Sequence, residues 1–271
     1  MRSLTAAAAL ILVLPTAVAA QSAADIVDRM LDSYADRARG VEDYTIVQET
    51  MGLESLAYFE KTELDGRPVF QLRRTRMGEM AMGAPSQSVD EIYALGADLA
   101  GLARYEGIER VDHYDVHVLD VPDLSGVDFG RNVTEDSEFA PTRGRLYLDV
   151  DTYAPRRLVF DGEMTSNGSV HTVTSVIDMG DYREVEGMLF PFRTAVTIEG
   201  LAAAIDPETR AQFEEMQAEL ERMPEGQRRM VEAMMAEQLE QFRALMDGED
   251  TGMSVTVLVR EVLVNEGPPG N

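Results

Sequence analysis

The 271-residue chain has no cysteine and no tryptophan, and it contains only three histidines and one lysine, Lys61. The absence of cysteine excludes disulfides, thiol catalysis and cysteine-ligated metals. Stability must therefore come from a hydrophobic core, which about 250 residues can build as a single domain. Positive charge is also scarce, since 24 Lys and Arg against 49 Asp and Glu give a net charge of −25. This charge disfavours polyanions, so we expect no nucleic-acid partner.

Motifs of catalysis and cofactor binding are missing as well. The sequence has no HExxH, no GxSxG and no phosphate-cradling glycine loop. His113 and His117 would share one face of a helix and could bind zinc there, but the valines around them favour a strand. On a strand the two rings would stand about 13 Å apart. We therefore predict no enzyme, no cofactor and no metal site, and a metal-assisted hydrolase using the histidines is the weakest alternative.

Residues 1–20 have the pattern of a secretory signal. Arg2 supplies the positive n-region, residues 4–14 form a short apolar h-region, and residues 17–20 are small. Cleavage is expected near Ala20, with an uncleaved membrane anchor as the alternative. No cysteine follows the apolar run, so a diacylated lipoprotein is excluded. The predicted location is the periplasm.

The most informative segment, residues 181–192, predicts a β-hairpin. A strand leads into a Glu186-Gly187 turn, and on the return strand Phe190, Phe192, Val196 and Ile198 fall on one face at period two. Such one-sided strands favour a β-structure with an apolar interior, either a solid core or a container. Further strands are predicted at residues 43–51, 55–63, 69–77, 109–121, 145–149, 156–164, 170–185, 188–198 and 253–264.

Helical periodicity appears in three places. We predict helices at residues 23–39 and 89–104, and a helical hairpin inserted at 200–250, which opens with Asp206-Pro207 and closes at Gly248. Residues 122–143 have no period and are expected to form a loop. Methionine is frequent, with 16 in all, at residues 77, 80 and 82 and along the insertion. These methionines predict either an adaptable lid or docking face, or ordinary amphipathic packing.

Several short motifs occur together in a characteristic order, at residues 40–44, 105–113, 146–149, 155–158, 181–191 and 262–265. In this order they resemble the outer-membrane lipoprotein-sorting proteins of the LolA-like superfamily. The resemblance covers residues 21–271 as a single domain, except for the insertion. It implies a mainly β fold with helices (α+β), namely a half-open antiparallel β-barrel with a helical lid.

The resemblance also implies a function and a site. The chain would be a non-enzymatic periplasmic carrier of lipoprotein acyl chains or lipid, served by inner- and outer-membrane transfer partners. Arg67, next to Pro68, is the nearest match to the arginine that locks the lid in such carriers, although Gly66-Arg67-Pro68 could simply complete a hairpin turn. The alternative function is an envelope sensor or protein-interaction module that uses the methionine-rich hairpin. The residues predicted to line the ligand cavity are Phe59, Phe70, Leu72, Leu95, Leu99, Phe190, Phe192 and Val196.

Overall fold

The computed structural model describes residues 21–77, 80–82, 89–125, 127, 139–166, 169–204, 207–234, 236–246 and 252–270. The predicted signal segment lies outside these residues. The helices are α1 (Ala23–Arg37), α2 (Val89–Ala94), α3 (Gly96–Leu102), α4 (Leu201–Ala204), α5 (Pro207–Arg222), α6 (Glu225–Met234) and α7 (Ala236–Met246). The strands are β1 (Asp43–Thr50), β2 (Leu53–Leu64), β3 (Arg67–Met77), β4 (Met80–Met82), β5 (Arg104–Val111), β6 (Tyr114–Val121), β7 (Phe139–Asp149), β8 (Pro155–Ser166), β9 (Ser169–Val185), β10 (Met188–Glu199) and β11 (Met253–Val264).

All eleven strands form one antiparallel sheet in the order β4-β3-β2-β1-β11-β10-β9-β8-β7-β6-β5. The last strand, β11, lies between β1 and β10 and so joins an N-terminal meander, β1–β4, to a second meander, β5–β10. The two edge strands, β4 and β5, do not pair with each other within the described residues. The sheet is therefore open, and the prediction of a mainly β, α+β fold is confirmed.

The hairpin predicted at residues 181–192 is present as the end of β9 and the start of β10. Val185 pairs with Met188, and the two turn residues, Glu186 and Gly187, have φ angles of 49° and 87°. Positive φ at both central positions is the requirement of a type I′ turn, whose twist matches that of the flanking strands. The Asp65-Gly66 turn between β2 and β3 has the same form, with φ angles of 52° and 77°.

Helix α1 lies against one face of the sheet, which we call the inner face. Its N-terminus is a capping box, since Ser22 Oγ accepts a hydrogen bond from the Asp25 amide and the Asp25 carboxylate accepts one from the Ser22 amide. Its apolar stripe is buried in the main core. That stripe consists of Ile26, Val27, Met30, Leu31 and Tyr34. The predicted helix is confirmed and ends at Arg37.

One predicted strand was wrong. Residues 109–121 form not one strand but parts of two, β5 and β6, joined by a turn at Asp112 and His113. Asp112 has a φ of 55°, which aspartate tolerates better than most residues. The turn contains no glycine or proline, and this explains why the pattern looked continuous. His113 therefore lies in a turn and His117 in β6.

Two other boundaries were also wrong. The helix predicted at 89–104 is divided at Leu95 into α2 and α3, and Arg104 already belongs to β5. The loop predicted at 122–143 is shorter, because β7 starts at Phe139. Within the loop, Leu124 and Val127 are buried in the core. Residues 128–138 of that loop lie outside the described part.

Helices α4–α7 lie in sequence between β10 and β11. These two strands nevertheless pair directly, with Ile198 opposite Met253. Helix α4 contacts β8 and β9, and α7 contacts β11. None of the helices in the described ranges is long and apolar enough to cross a membrane.

Candidate ligand-binding face

All eight residues predicted to line a cavity meet in the main core, six on the inner face of the sheet and two, Leu95 and Leu99, in the helical segment that covers it. Five are buried in the main core cluster, and three are half-buried and pack against it. The buried five are Phe59, Phe70, Leu99, Phe190 and Phe192, and the half-buried three are Leu72, Leu95 and Val196. The convergence of the six strand residues follows from the alternation of side chains along each strand and from the antiparallel register. Contact with a ligand stays a prediction for each of them.

One part of the inner face, which we call the closed half, is aromatic and lies beneath α1–α3. Tyr44 is at its centre, with ring centroids 4.8 Å from Phe59, 5.0 Å from Phe70 and 5.1 Å from Phe190. Phe59 is only 2% exposed. Aromatic pairs at these distances contribute favourable contacts beyond the area that they bury. The closed half is thus a well-packed core.

The other part, which we call the open half, continues the same face toward the far ends of β10 and β11. Val196 lies opposite Val255 and Thr194 opposite Val257 in the strand register. All four side chains are only half-buried. The face stays apolar there although the protein's own helices do not bury it fully. A half-buried row of β-branched side chains is where an added apolar ligand would gain contacts.

The cavity beside the lid is far smaller than a lipid. The cavity at the lid measures about 70 Å³ and lies where α1 and α2 meet the β2–β3 hairpin, beside Arg67. Typical ligand pockets enclose roughly 300–1,000 Å³. The closed half is therefore filled by the protein's own side chains in this conformation, and an acyl chain could enter it only if helices moved.

Helix α1 is held to both meanders of the sheet by polar contacts. On one side Arg67 of β3 reaches Asp28 at 3.2 Å and Asp32 at 3.3 Å. On the other side Arg37 donates to the Thr152 carbonyl at 2.7 Å, and Arg29 donates to Tyr153 Oη at 3.0 Å. These partners belong to β3 and to the β7–β8 turn, which are far apart in the strand order. Helix α1 therefore crosses the sheet and connects the two meanders. Arg67 does contact the helical cover, while its role as a lid lock stays a prediction.

Helices α2 and α3 rest mainly on α1 and β3, and we call them the lid. The Tyr93 ring stacks on Tyr34 with centroids 3.8 Å apart, and Ile92 and Leu99 are buried. At Gly96, helix α3 comes so close to α1 that a Cβ would lie 2.4 Å from a methyl carbon of Leu31 in α1. With six and seven residues, α2 and α3 are too short to be stable alone and depend on this packing.

His117 is buried beneath the junction where α1 contacts the β7–β8 turn. Its Nδ1 lies 3.1 Å from Tyr105 Oη, and its ring stacks on Tyr153 with centroids 5.6 Å apart. Burial lowers the pKa of His117, and the positive charge of Arg29 lowers it further. His117 is therefore neutral at neutral pH and serves the packing of this junction. No group of three or more acidic or histidine side chains in the described ranges could hold a metal ion.

The methionine-rich hairpin is described only in part. Met216, Met223 and Met246 are half-buried, whereas the side chains of residues 230–235 lie outside the description. Phe213 and Leu239 are buried, and Gln241 Oε1 accepts a hydrogen bond from the Ser254 amide of β11. These contacts attach the hairpin to the sheet. Its role as a lid or a docking face stays a prediction.

Sequence reasoning missed two parts of this face. Tyr44, the aromatic centre of the closed half, stands in a strand whose alternation is weak and gave no reason to select it. Val255, Val257 and Val259 do alternate along β11, which was a usable signal for one-sided burial. What the sequence could not show is that β11 lies beside β10, which makes this row continuous with Val196.

Comparison with known proteins gives likeness at the level of structure. No protein-family model and no curated protein matches the chain. Among solved structures, an outer-membrane lipoprotein-sorting protein domain from Vibrio parahaemolyticus is 13% identical, with 90% of this chain and 95% of that one covered and a TM-score of 0.39. A DUF1329 family protein from Desulfovibrio piger is 12% identical, with 91% and 93% covered and a TM-score of 0.39. A LolA superfamily protein from Nitrosomonas europaea is 12% identical, with 92% and 96% covered and a TM-score of 0.32.

These likenesses agree with the family resemblance that the sequence motifs predicted. With identities of 12–13%, the likeness is one of fold.

Proposed function

We propose that this chain is an exported, non-enzymatic carrier that binds the acyl chains of lipoproteins, or lipid, along the inner face of its sheet. Its task would be transfer toward the outer membrane, with separate inner- and outer-membrane partners for loading and release. The observation that carries the proposal is the open half, where Val196, Val255 and Val257 extend the core surface without being fully covered. Support also comes from the short lid, which packs on α1 over the closed half.

The binding free energy favours a carrier in which the ligand replaces contacts that the lid makes in the free protein. Complete burial of a sixteen-carbon chain would contribute about 12 kcal/mol at most, at about 0.8 kcal/mol per methylene. Such binding would hinder release. If the chain instead displaces lid side chains such as Tyr93 and Leu99, one set of buried apolar contacts replaces another. The net affinity then stays moderate, because the lid must leave the surface that the ligand gains.

The first test compares two faces of one strand. Val257 lies on the inner face of β11, and its neighbour Thr256 is exposed on the outer face. Val257→Asp and Thr256→Asp add the same charge to the same strand. We expect saturable binding of a fluorescent long-chain fatty acid to the lipid-stripped protein, weakened at least tenfold by Val257→Asp and less than twofold by Thr256→Asp.

Absence of saturable binding, or equal effects of the two variants, would contradict the proposal. A protein that binds no acyl chain but forms a stable complex with an envelope protein would instead support the interaction-module alternative. Thermal unfolding of both variants shows whether a loss of binding reflects a loss of structure.

The second test locks the lid. A Cβ at residue 96 would lie 2.9 Å from Leu31 Cγ, close to the roughly 3 Å between a Cβ and the far sulfur of a disulfide. Because the chain has no cysteine, the pair Leu31→Cys and Gly96→Cys can form only this bond within one molecule. We expect the oxidised protein to lose uptake into the closed half and the reduced protein to regain it. Equal uptake in both states would show that the lid does not open for the ligand.

A further inference from the structure

The two edges of the sheet differ in how they are covered. At one edge β4 is only three residues long, and β3 behind it contacts α2. At the other edge β5 runs for eight residues and pairs only with β6 among the described strands. An uncovered strand edge presents N–H and C=O groups to which another strand can add. The edge of β5 is therefore the place where a partner strand could extend the sheet.

A large apolar side chain is exposed on this edge strand. Ile108 is 59% exposed, although it lies opposite the buried His117 on the inner face. The register of β5 with β6 shifts between Tyr105 and Gly107, so Glu106 is the extra residue of a bulge. The bulge places Tyr105 and Ile108 on the same face, although they are three residues apart. An apolar pair thus stands on the inner face at the rim of the sheet.

The charges of β5 are balanced, unlike those of the whole protein. The strand carries two arginines, Arg104 and Arg110, and two glutamates, Glu106 and Glu109, whereas the net charge of the chain is −25. All four side chains are exposed. Arg110 lies 3.7 Å from Asp115, while Arg104 and Glu109 form no ion pair with a described residue. An edge of mixed charge can attract a copy of itself, which an edge of one sign would repel.

One antiparallel register makes β5 complementary to itself. With a two-fold axis at the centre of residues 104–109, Arg104 lies opposite Glu109 of the second copy, and Tyr105 lies opposite Ile108. Each of these contacts occurs twice by symmetry. The two members of each pair also belong to the same face of the sheet, as directly opposed residues of an antiparallel pair must.

A shift of this register by one residue removes the match. In one direction Glu106 would lie opposite Glu106 of the second copy, and in the other direction Arg104 would lie opposite Arg110. Like charges that face each other directly across a strand pair are destabilising. The register is therefore specified by the charges of the strand as well as by its apolar pair.

We propose that the protein forms a homodimer in which the β5 strands of two copies pair antiparallel and join the two sheets into one. A single strand pair buries less than the roughly 1,600 Å² of a standard interface, so we expect a weak dimer with a dissociation constant in the micromolar range. The net charge of the chain opposes association, and physiological salt screens this repulsion beyond about 8 Å. The pairing does not use the open half and is independent of the carrier proposal.

The first test exchanges the two charges of the ion pair. Arg104→Glu and Glu109→Arg each place like charges opposite each other twice in a homodimer, whereas an equimolar mixture of the two variants restores both ion pairs in a heterodimer. In sedimentation velocity at physiological salt, we expect the wild-type protein to dimerise as its concentration rises. Each variant alone should dimerise at least tenfold more weakly. The mixture should dimerise again, and so should the double variant, which keeps the net charge of −25.

The second test compares two exposed apolar residues. Ile108→Asp in β5 and Val170→Asp in β9 add the same charge at side chains that are 59% and 60% exposed. We expect Ile108→Asp to weaken dimerisation at least tenfold and Val170→Asp less than twofold. A wild-type protein that stays monomeric at high micromolar concentration overturns the proposal, as does a dimer that all these variants leave unchanged. Recovery in the mixture requires two folded copies, so it separates a role in pairing from a role in folding.

Discussion

The closed and open halves lie on the same face of one sheet and share β10, but they differ in how they are covered. In the closed half, large aromatic rings are packed against each other and under α1–α3. In the open half, valine and threonine side chains of β10 and β11 are only half-buried. This difference underlies the proposal that one half holds the fold together while the other binds the ligand.

The largest contrast is expected from truncations in the two halves. Phe59→Ala in the closed half should lower the free energy of unfolding by about 3–5 kcal/mol, since it leaves a cavity beside Tyr44. Val257→Ala in the open half should cost about 1 kcal/mol or less, because a half-buried valine gives up little area. Urea unfolding followed by circular dichroism measures both. Equal losses would remove the distinction between the halves.

The contact of the lid with α1 can be tested at two glycines of one helix. Alanine at Gly96 would collide with Leu31, whereas alanine at Gly101 meets no atom within 4 Å. We expect Gly96→Ala to destabilise the protein by about 1–2 kcal/mol. Gly101→Ala should stabilise it by up to about 1 kcal/mol through helix propensity. Hydrogen exchange in α2 and α3 should rise only in Gly96→Ala, and a rise in both would argue against a close lid contact.

The junction of α1 with the β7–β8 turn should depend on pH through His117. The lowered pKa means that the unfolded chain takes up a proton more readily than the folded protein. Stability from this residue is therefore complete above about pH 6.5, the ordinary histidine value, and falls as the pH drops toward the folded-state pKa. His117→Gln should flatten the dependence of unfolding free energy on pH in this range. His171→Gln, at a half-buried strand histidine, is the control. The unfolding free energy of this variant should depend on pH more steeply than that of His117→Gln.

The smallest effect on stability is expected at Arg67. Arg67→Gln removes the ion pairs with Asp28 and Asp32. The control is Arg73→Gln, on the same strand β3, which removes a comparable ion pair with Glu60 of β2. These pairs are exposed, so each variant should lose only about 0.2–1 kcal/mol. Only Arg67 touches α1, so only Arg67→Gln should speed fatty-acid uptake in stopped-flow measurements. Equal uptake rates in the two variants would exclude a lid-lock role for Arg67.

The sequence predicted most of the strands because their periodicity and turns are local. The Glu186-Gly187 and Asp65-Gly66 turns and the stripe of α1 are examples, and each was found where the pattern placed it. The β5–β6 turn was missed because Asp112 and His113 give a weak turn signal between two valine-rich strands. The division of α2 from α3 at Leu95 was missed because the apolar spacing of Ile92, Leu95, Leu99 and Leu102 runs through it without a break.

By itself, the sequence determined that the protein is acidic, free of disulfides and mainly β, with aromatic residues such as Phe59 and Phe190 on one face of their strands. Charge, composition and alternation are properties of single segments, so no partner segment is needed to infer them. Only the tertiary structure decided that β11 joins the two meanders and that α1 contacts both of them. It also decided that the closed half is filled while the open half is not. Such outcomes depend on which segments meet across the sheet, and pairing over more than 200 residues, as between β1 and β11, leaves no local trace in the sequence.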